Sequence, residues 1–213
     1  AHDLIRQKSF AGFANYSIAF GKWNANAGVR YEHRETEYYQ KGLHMEEQSP
    51  TYNDFIPTAS ISWADKGFNI ALSYQMMRSY PAYNNLSNAI SYRSQYSYDT
   101  GNPLLEPSQI NILGLRISYK WFYASLQYQH IKNNIANITM PYNEETHPGV
   151  LLFTAANLAT YNGYSLYLVA SPKIGVWQPQ FTASVSLNVP DGRDLGIGVY
   201  HKEPTFYFNW DNS

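Results

Sequence analysis

The chain contains no cysteine. A disulfide frame, a cysteine zinc site and a thiol nucleophile are therefore excluded. It also lacks any run of about 18 apolar residues, which removes a transmembrane helix. Charge is scarce and balanced: 15 Lys+Arg stand against 16 Asp+Glu, for a net charge of -1. No basic field is available to a nucleic-acid partner. The six histidines, His2, His33, His44, His130, His147 and His201, form no i, i+4 pair and no HExxH sequence, and no phosphate-binding glycine loop occurs. Glu46-Glu47 and Glu144-Glu145 are adjacent in sequence, whereas a glycosidase pair faces across a cleft. Ser125 and His130 have no nucleophile motif around them. We expect no enzyme, no metal and no cofactor. The chain opens AHDLIRQKSF, without a basic and apolar leader; either a leader was removed or the chain is an excerpt.

What the sequence has in quantity is aromatic residues, with 20 Tyr, 10 Phe and 5 Trp, and they join aliphatic residues in a pattern that recurs at every second position. Tyr164, Leu166, Leu168 and Ala170 share one parity, and Ser165, Tyr167 and Val169 the other. After a Lys173-Ile174-Gly175-Val176 turn, Trp177, Pro179, Phe181, Ala183, Val185, Leu187 and Val189 alternate with amides and hydroxyls. Period two means a β-hairpin with one oily face and one polar face. Each arm is long enough to cross a bilayer as a tilted strand of about 9–11 residues.

The same pattern runs through the rest of the chain. Phe10, Ala14, Tyr16, Ile18 and Phe20 lead through a Gly21-Lys22 turn to Trp23, Ala25, Ala27, Val29 and Tyr31, so Phe20 should face Trp23. Phe55 to Trp63 and Phe68 to Met76 repeat the alternation around Ala64 to Gly67. Leu113 to Tyr119 and Phe122 to Tyr128 repeat it around Lys120-Trp121, and a last strand begins at Thr205. The predicted fold is all-β, an antiparallel up-and-down meander of about nine long strands. We expect residues 1–213 to form one section of a transmembrane β-barrel, incomplete at both ends, because an odd number of strands cannot close an antiparallel barrel. Long loops are expected at about 40–51, 78–108, 143–149 and 190–204, on the rim opposite the short turns.

Those short turns carry a recurring pair. Trp23, Trp63, Trp121 and Trp177 sit beside Lys22, Lys66, Lys120 and Lys173. An indole or a lysine stem rests in acyl chains while its N–H or ammonium reaches headgroups, so these eight residues are the expected membrane-interface anchors.

Three stretches carry a family resemblance. Gly28-Val29-Arg30-Tyr31-Glu32, Arg78-Ser79-Tyr80-Pro81-Ala82-Tyr83 and Gly101-Asn102-Pro103-Leu104-Leu105-Glu106-Pro107 resemble, in that order and spacing, the outer-membrane β-barrel family related to TonB-dependent receptors, of the Bacteroidetes type. The resemblance covers about Phe10 to Tyr167, the central section of that family's barrel. It implies an outer-membrane transport protein taking up a small nutrient or a siderophore, with the lipid bilayer, TonB and a plug domain as partners of the full-length protein.

For contacts with a ligand or the lumen, the candidates are Arg30, Glu32 and Arg34 on the polar parity, and Arg78, Tyr80, Arg93, Tyr96 and Tyr98 in the aromatic loop. Arg30, Glu32 and Arg34 also fit a self-neutralising row that supports the wall. A second class stays open: a soluble β-sandwich that binds carbohydrate through exposed tyrosines. In a sandwich, Ile61, Leu72, Leu115, Leu126, Leu168 and Val185 would meet one another across two sheets about 10 Å apart.

Overall fold

The structure is a computed structural model that describes residues 3–190 and 203–212. Its long strands are β1 (Asp3–Phe20), β2 (Trp23–Gln40), β4 (Thr51–Asp65), β5 (Phe68–Ser79), β8 (Ser108–Tyr119), β9 (Phe122–Asn143), β10 (His147–Ala170), β11 (Gln180–Pro190) and β12 (Thr205–Asp211). These nine pair in chain order into one curled half-barrel sheet. Three short strands lie off that path: β3 (Leu43–His44), β6 (Ser91–Ser94) and β7 (Ser97–Asp99). One helical turn, α1, spans Tyr83–Leu86.

Period-two patterning sets the register. Phe20 pairs with Trp23, Ile61 with Leu72, and Leu115 with both Leu72 and Leu126, so oily residues stand opposite oily residues through consecutive strands. Three turns between consecutive long strands are two residues long: Gly21-Lys22, Lys66-Gly67 and Lys120-Trp121. Lys66 (φ 45°) and Gly67 (φ 80°) both take the left-handed conformation, as a turn matched to the strand twist requires.

The oily parity covers the outer side. Phe10 is 68% exposed and Phe55 67%, and Ile61, Leu72 and Leu126 are exposed as well. The described strands form a single sheet, so no second layer covers this face, and the sandwich alternative is not supported. Most buried residues lie on the opposite parity, among them Glu32, Thr36 and Tyr38 of β2 and Ile131 of β9, and Thr36 and Tyr38 meet the long β5–β8 connection. The small core sits there: Leu86 and Leu105 from the connection against Ala155 of β10, flanked by Ile5 and Ile135.

Two aromatic belts bound the outer face. The lower runs through Phe20, Trp23, Trp63, Phe68 and Tyr119, with successive ring centroids 6.4, 6.5, 5.8 and 6.2 Å apart. Phe181 and Trp210 stack at 6.3 Å beyond it. The upper belt contains Tyr31 against Phe55 and Tyr128 against Tyr164, each at 5.1 Å. Trp23 and Tyr31 are eight residues apart on β2, ~27 Å along a strand. A tilt of about 40° reduces that to roughly 20 Å of height, close to the ~25 Å apolar band of outer-membrane barrels.

Three parts of the chain depart from the sequence reading. The loop expected at 143–149 is a turn of three residues, 144–146, because β9 runs to Asn143 and β10 starts at His147. Trp177 and Pro179 lie outside any strand; β11 begins only at Gln180. Prolines cannot donate to a ladder, and Pro172 and Pro179 bracket a longer rim connection closed by an Ile174–Trp177 bridge. Residues 78–108 are not simply irregular, since α1, β6 and β7 fall within them, and β7 pairs parallel to β10 through Leu151–Ser97, Leu152–Tyr98 and Phe153–Asp99. Of the expected loop at 190–204, residues 191–202 lie outside the described residues.

Candidate functional site

On the inner side, the polar parity of β2 meets the end of β5. Strands β4 and β5 pair from Asp65–Phe68 to Thr58–Gln75. Beyond that point Arg78 reaches Asp54 of β4, with Nε 2.8 Å from Oδ1. That N–H is not aligned for a hydrogen bond, so charge attraction makes the contact. Both side chains are nearly buried, at 15% and 12% exposure, which strengthens the attraction. Tyr80 donates its hydroxyl to the other oxygen, Asp54 Oδ2, at 2.8 Å.

The next neighbours extend the cluster. The Arg34 guanidinium stands 3.8 Å over the Tyr80 ring, and Arg34 also donates to Glu32 at 2.9 Å. Arg30 donates to the same carboxylate through Nε and Nη2 at 3.2 and 3.1 Å. The Tyr52 ring packs at a tilt against that of Tyr80, with centroids 6.0 Å apart. Five of the sequence candidates, Arg30, Glu32, Arg34, Arg78 and Tyr80, thus share one network, with Asp54 as its missed centre. The alternation read from the sequence starts at Phe55, whereas β4 begins at Thr51, so Asp54 carries no signal of its own in the pattern.

Titration follows from these contacts. Burial pushes Glu32 up, but the hydrogen bonds from Arg34 and Arg30 prevail and hold its carboxyl below the usual range. Burial and the bond to Asp54 push the Tyr80 hydroxyl up to about 12. Burial, then the charge of Glu106, raises Tyr52.

The connection is fastened a second time by the Gly101 to Pro107 stretch. A Cβ at Gly101 would come within 2.4 Å of the Ser87 carbonyl and 2.6 Å of that of Asn85, and the Gly101 amide donates to Ser87 O at 2.8 Å. Only glycine permits so close a crossing. Asn102 donates its side chain to Ala155 O at 3.2 Å. Glu106 N–H donates to Asn157 Oδ1, and Asn157 Nδ2 returns a bond to Glu106 O, both at 2.9 Å. Leu105 is 3% exposed and Pro107 is fully buried. The family-like stretch is therefore the peptide that docks the connection on the wall.

Arg93, Tyr96 and Tyr98 form a second group on the β6–β7 hairpin. Arg93 pairs with Asp99 at 3.3 Å and lies 4.8 Å over Phe153. Tyr98 packs between Tyr92 and Tyr142, at 6.2 and 4.8 Å, while Tyr96 is 64% exposed. Beside them is a cleft of about 600 Å³ lined by Asn84, Asn85, Arg93, Asp99, Asn137 and Phe153. Its one cation and one anion are paired, so it is neutral, amide-rich and walled by an aromatic ring.

The rim residues are placed as follows. Trp23 and Trp63 lie in the lower belt, and Trp121 is exposed in its turn beside Tyr119 and Phe122. Trp177 donates its indole N–H to Asn212. Lys22 pairs with Asp65 at 2.8 Å, the Lys120 ammonium lies 5.0 Å over Tyr119, and Lys66 and Lys173 are exposed. Among the described residues, no three His, Cys, Asp or Glu side chains gather as a metal cluster.

Residues 4–213 match the outer membrane protein beta-barrel family. No curated protein matches the chain. Among solved structures, it is similar to the copper transporter OprC, with TM-score 0.63 and 15% identity over 95% of this chain and 32% of that one. It is similar to the FrpB iron transporter (F3-3 variant) from Neisseria meningitidis, with TM-score 0.58 and 14% identity over 86% and 26%. It is also similar to the siderophore receptor PirA from Pseudomonas aeruginosa, with TM-score 0.54 and 13% identity over 99% and 45%. These relatives are transporters and receptors, not enzymes. The chain spans between a quarter and a half of their lengths.

Proposed function

The chain belongs to the outer membrane protein β-barrel family, and from that premise we infer that it is a section of the wall, with its outer loops, of a TonB-dependent-receptor-like transporter. Its place is the outer membrane. The observation that carries the proposal is the wall's two-sidedness. An oily face bounded by two aromatic belts suits lipid, while the opposite face holds a folded connection and a neutral cleft at the lumen.

Within this proposal the candidates divide. Arg30, Glu32, Arg34, Arg78 and Tyr80 support the wall, because their charges are spent on one another and on Asp54. Arg93, Tyr96 and Tyr98 face the solute, because Arg93 lines the open cleft and the two tyrosines share its hairpin. Trp23, Trp63, Trp121 and Trp177, with Lys22, Lys66, Lys120 and Lys173, anchor the rim at the lipid boundary. The plug and TonB are partners of the full-length protein, the solute is a small nutrient or siderophore, and the chain has no catalytic task.

Uptake tests the proposal directly. Cells carrying the full-length protein would be given radio-iron siderophore, copper ion or a neutral oligosaccharide, with and without TonB. Accumulation of one of them that disappears without TonB is expected. Equal entry with and without TonB would contradict active transport.

A further inference from the structure

The outer face repeats one arrangement twice. In the first copy, Tyr31 and His33 of β2 both contact Asn53 Oδ1 of β4, through the hydroxyl at 2.8 Å and Nδ1 at 2.8 Å. In the second, Tyr128 and His130 of β9 contact Asn162 Oδ1 of β10, at 3.0 and 2.8 Å. Tyrosine and histidine are two residues apart in each, and the shared amide oxygen turns both rings the same way. Because that oxygen only accepts, each histidine carries a proton on Nδ1 and presents Nε2 outward.

What meets Nε2 differs. At His33 it is a carboxylate, Glu35 Oε1 at 3.1 Å, from the next outward position on the same strand. At His130 the corresponding position is Lys132, which is exposed and, among the described residues, has no carboxylate within ion-pair distance. The cross-strand neighbours of His130 and Lys132 are Asn111 and Gln109 on β8 and Asn162 and Thr160 on β10. All four are uncharged. The first copy thus holds its own anion, and the second presents an ammonium and an imidazole about 7 Å apart along the strand with no anion among the described residues.

The second copy also lies at a definite height. Tyr128 belongs to the upper aromatic belt, and His130 and Lys132 follow it on the same outward parity, just past the apolar band. That is the level of headgroups, and β8 and β10 flank the site on both sides. We propose that His130 and Lys132 hold the phosphate of an outer-leaflet lipid headgroup, which occupies the position taken by the Glu35 carboxylate in the first copy. Lys132 supplies charge to one phosphate oxygen, and the His130 ring, turned outward by Asn162, contacts another. The site does not depend on what is transported.

The test uses full-length protein in detergent micelles, titrated with phosphatidic acid or, as the zwitterionic comparison, phosphatidylcholine, with retained lipid counted by native mass spectrometry. Lys132→Gln and His130→Gln are each expected to weaken phosphatidic acid retention about fivefold, the effect of roughly 1 kcal/mol for one cation at a lipid surface. Lys8→Gln, also on the outer face, should leave it unchanged. Glu35→Lys, which replaces the anion of the first copy by an ammonium beside that of Lys8 on β1, should add one retained phosphatidic acid per chain. Equal retention of both lipids, or no change in either site variant, would overturn the proposal. Displacement of the lipid by inorganic phosphate at equal concentration would overturn the lipid as the source.

Discussion

Tyr80 donates a 2.8 Å hydrogen bond to Asp54, joining the start of the inner connection to the wall strand β4, and Asp54 meets Arg78 with its other oxygen. Removing that carboxylate charge leaves Arg78 nearly buried and unpaired, which costs about 3 kcal/mol for such a site. Asp54→Asn should therefore lower the thermal midpoint of the full-length protein in detergent and expose residues 80–107 to protease. Tyr80→Phe removes one bond to a charged group and should cost about 1.5 kcal/mol. Unchanged protease resistance in Asp54→Asn would show that the connection is held without it.

The two ends of the pH range act on this cluster with opposite sign. Glu32 has a folded carboxyl lower than its ordinary value of 4.5. Its stabilisation is present above that value and is lost as pH falls through the lower folded one. Tyr80 is raised from 10 to about 12, so its contribution is present below pH 10 and is lost as pH rises toward 12. Midpoints measured across pH should fall at both ends. Glu32→Gln should flatten the acid limb, and Tyr80→Phe the alkaline one.

Gly101 tests the docking peptide. Gly101→Ala would place a methyl carbon 2.4 Å from the Ser87 carbonyl, and backbone on both sides cannot yield cheaply. A loss of about 2 kcal/mol is expected, within the range for strained backbone sites. Amide exchange should speed up at Gly101 and Asn102, whose N–H groups donate to Ser87 and Asn85. Gly42→Ala, where a Cβ meets nothing within 4 Å but φ is 83°, separates conformational strain from collision.

In the middle of the outer band, Leu126→Arg places a cation against acyl chains. The expected cost is about 2–4 kcal/mol, read as reduced assembly into the outer membrane. Gln127→Arg, one residue away on the inner parity, should assemble normally.

Much of this was legible because a strand in a two-faced wall must repeat every second residue. The Phe20–Trp23 and Ile61–Leu72 pairings follow from parity plus turn length alone. Parity also placed Arg30, Glu32 and Arg34 together on one side. It could not reveal Asp54 as the partner of Arg78, because that contact forms where β4 and β5 have stopped pairing. Nor could it foresee β7 lying parallel on β10, a long-range contact fixed by how the connection folds back. Trp177 fits the alternation and still lies outside the strand, since Pro172 and Pro179 interrupt the ladder while preserving the oily pattern. The tyrosine–histidine–asparagine pairs needed the strand neighbours, since Asn53 and Asn162 lie far in sequence from the rings they hold.

The central claim is that the oily parity meets lipid. It is tested most directly by single spin labels at each position from Tyr123 to Gln129 in the full-length protein in bilayers, with accessibility to oxygen and to a water-soluble nickel chelate. Labels at Ala124, Leu126 and Tyr128 should be open to oxygen and closed to nickel, and those at Tyr123, Ser125, Gln127 and Gln129 should not show that lipid signature. Positions 124, 126 and 128 closed to both reagents would mean that protein covers them, and the wall assignment would be wrong.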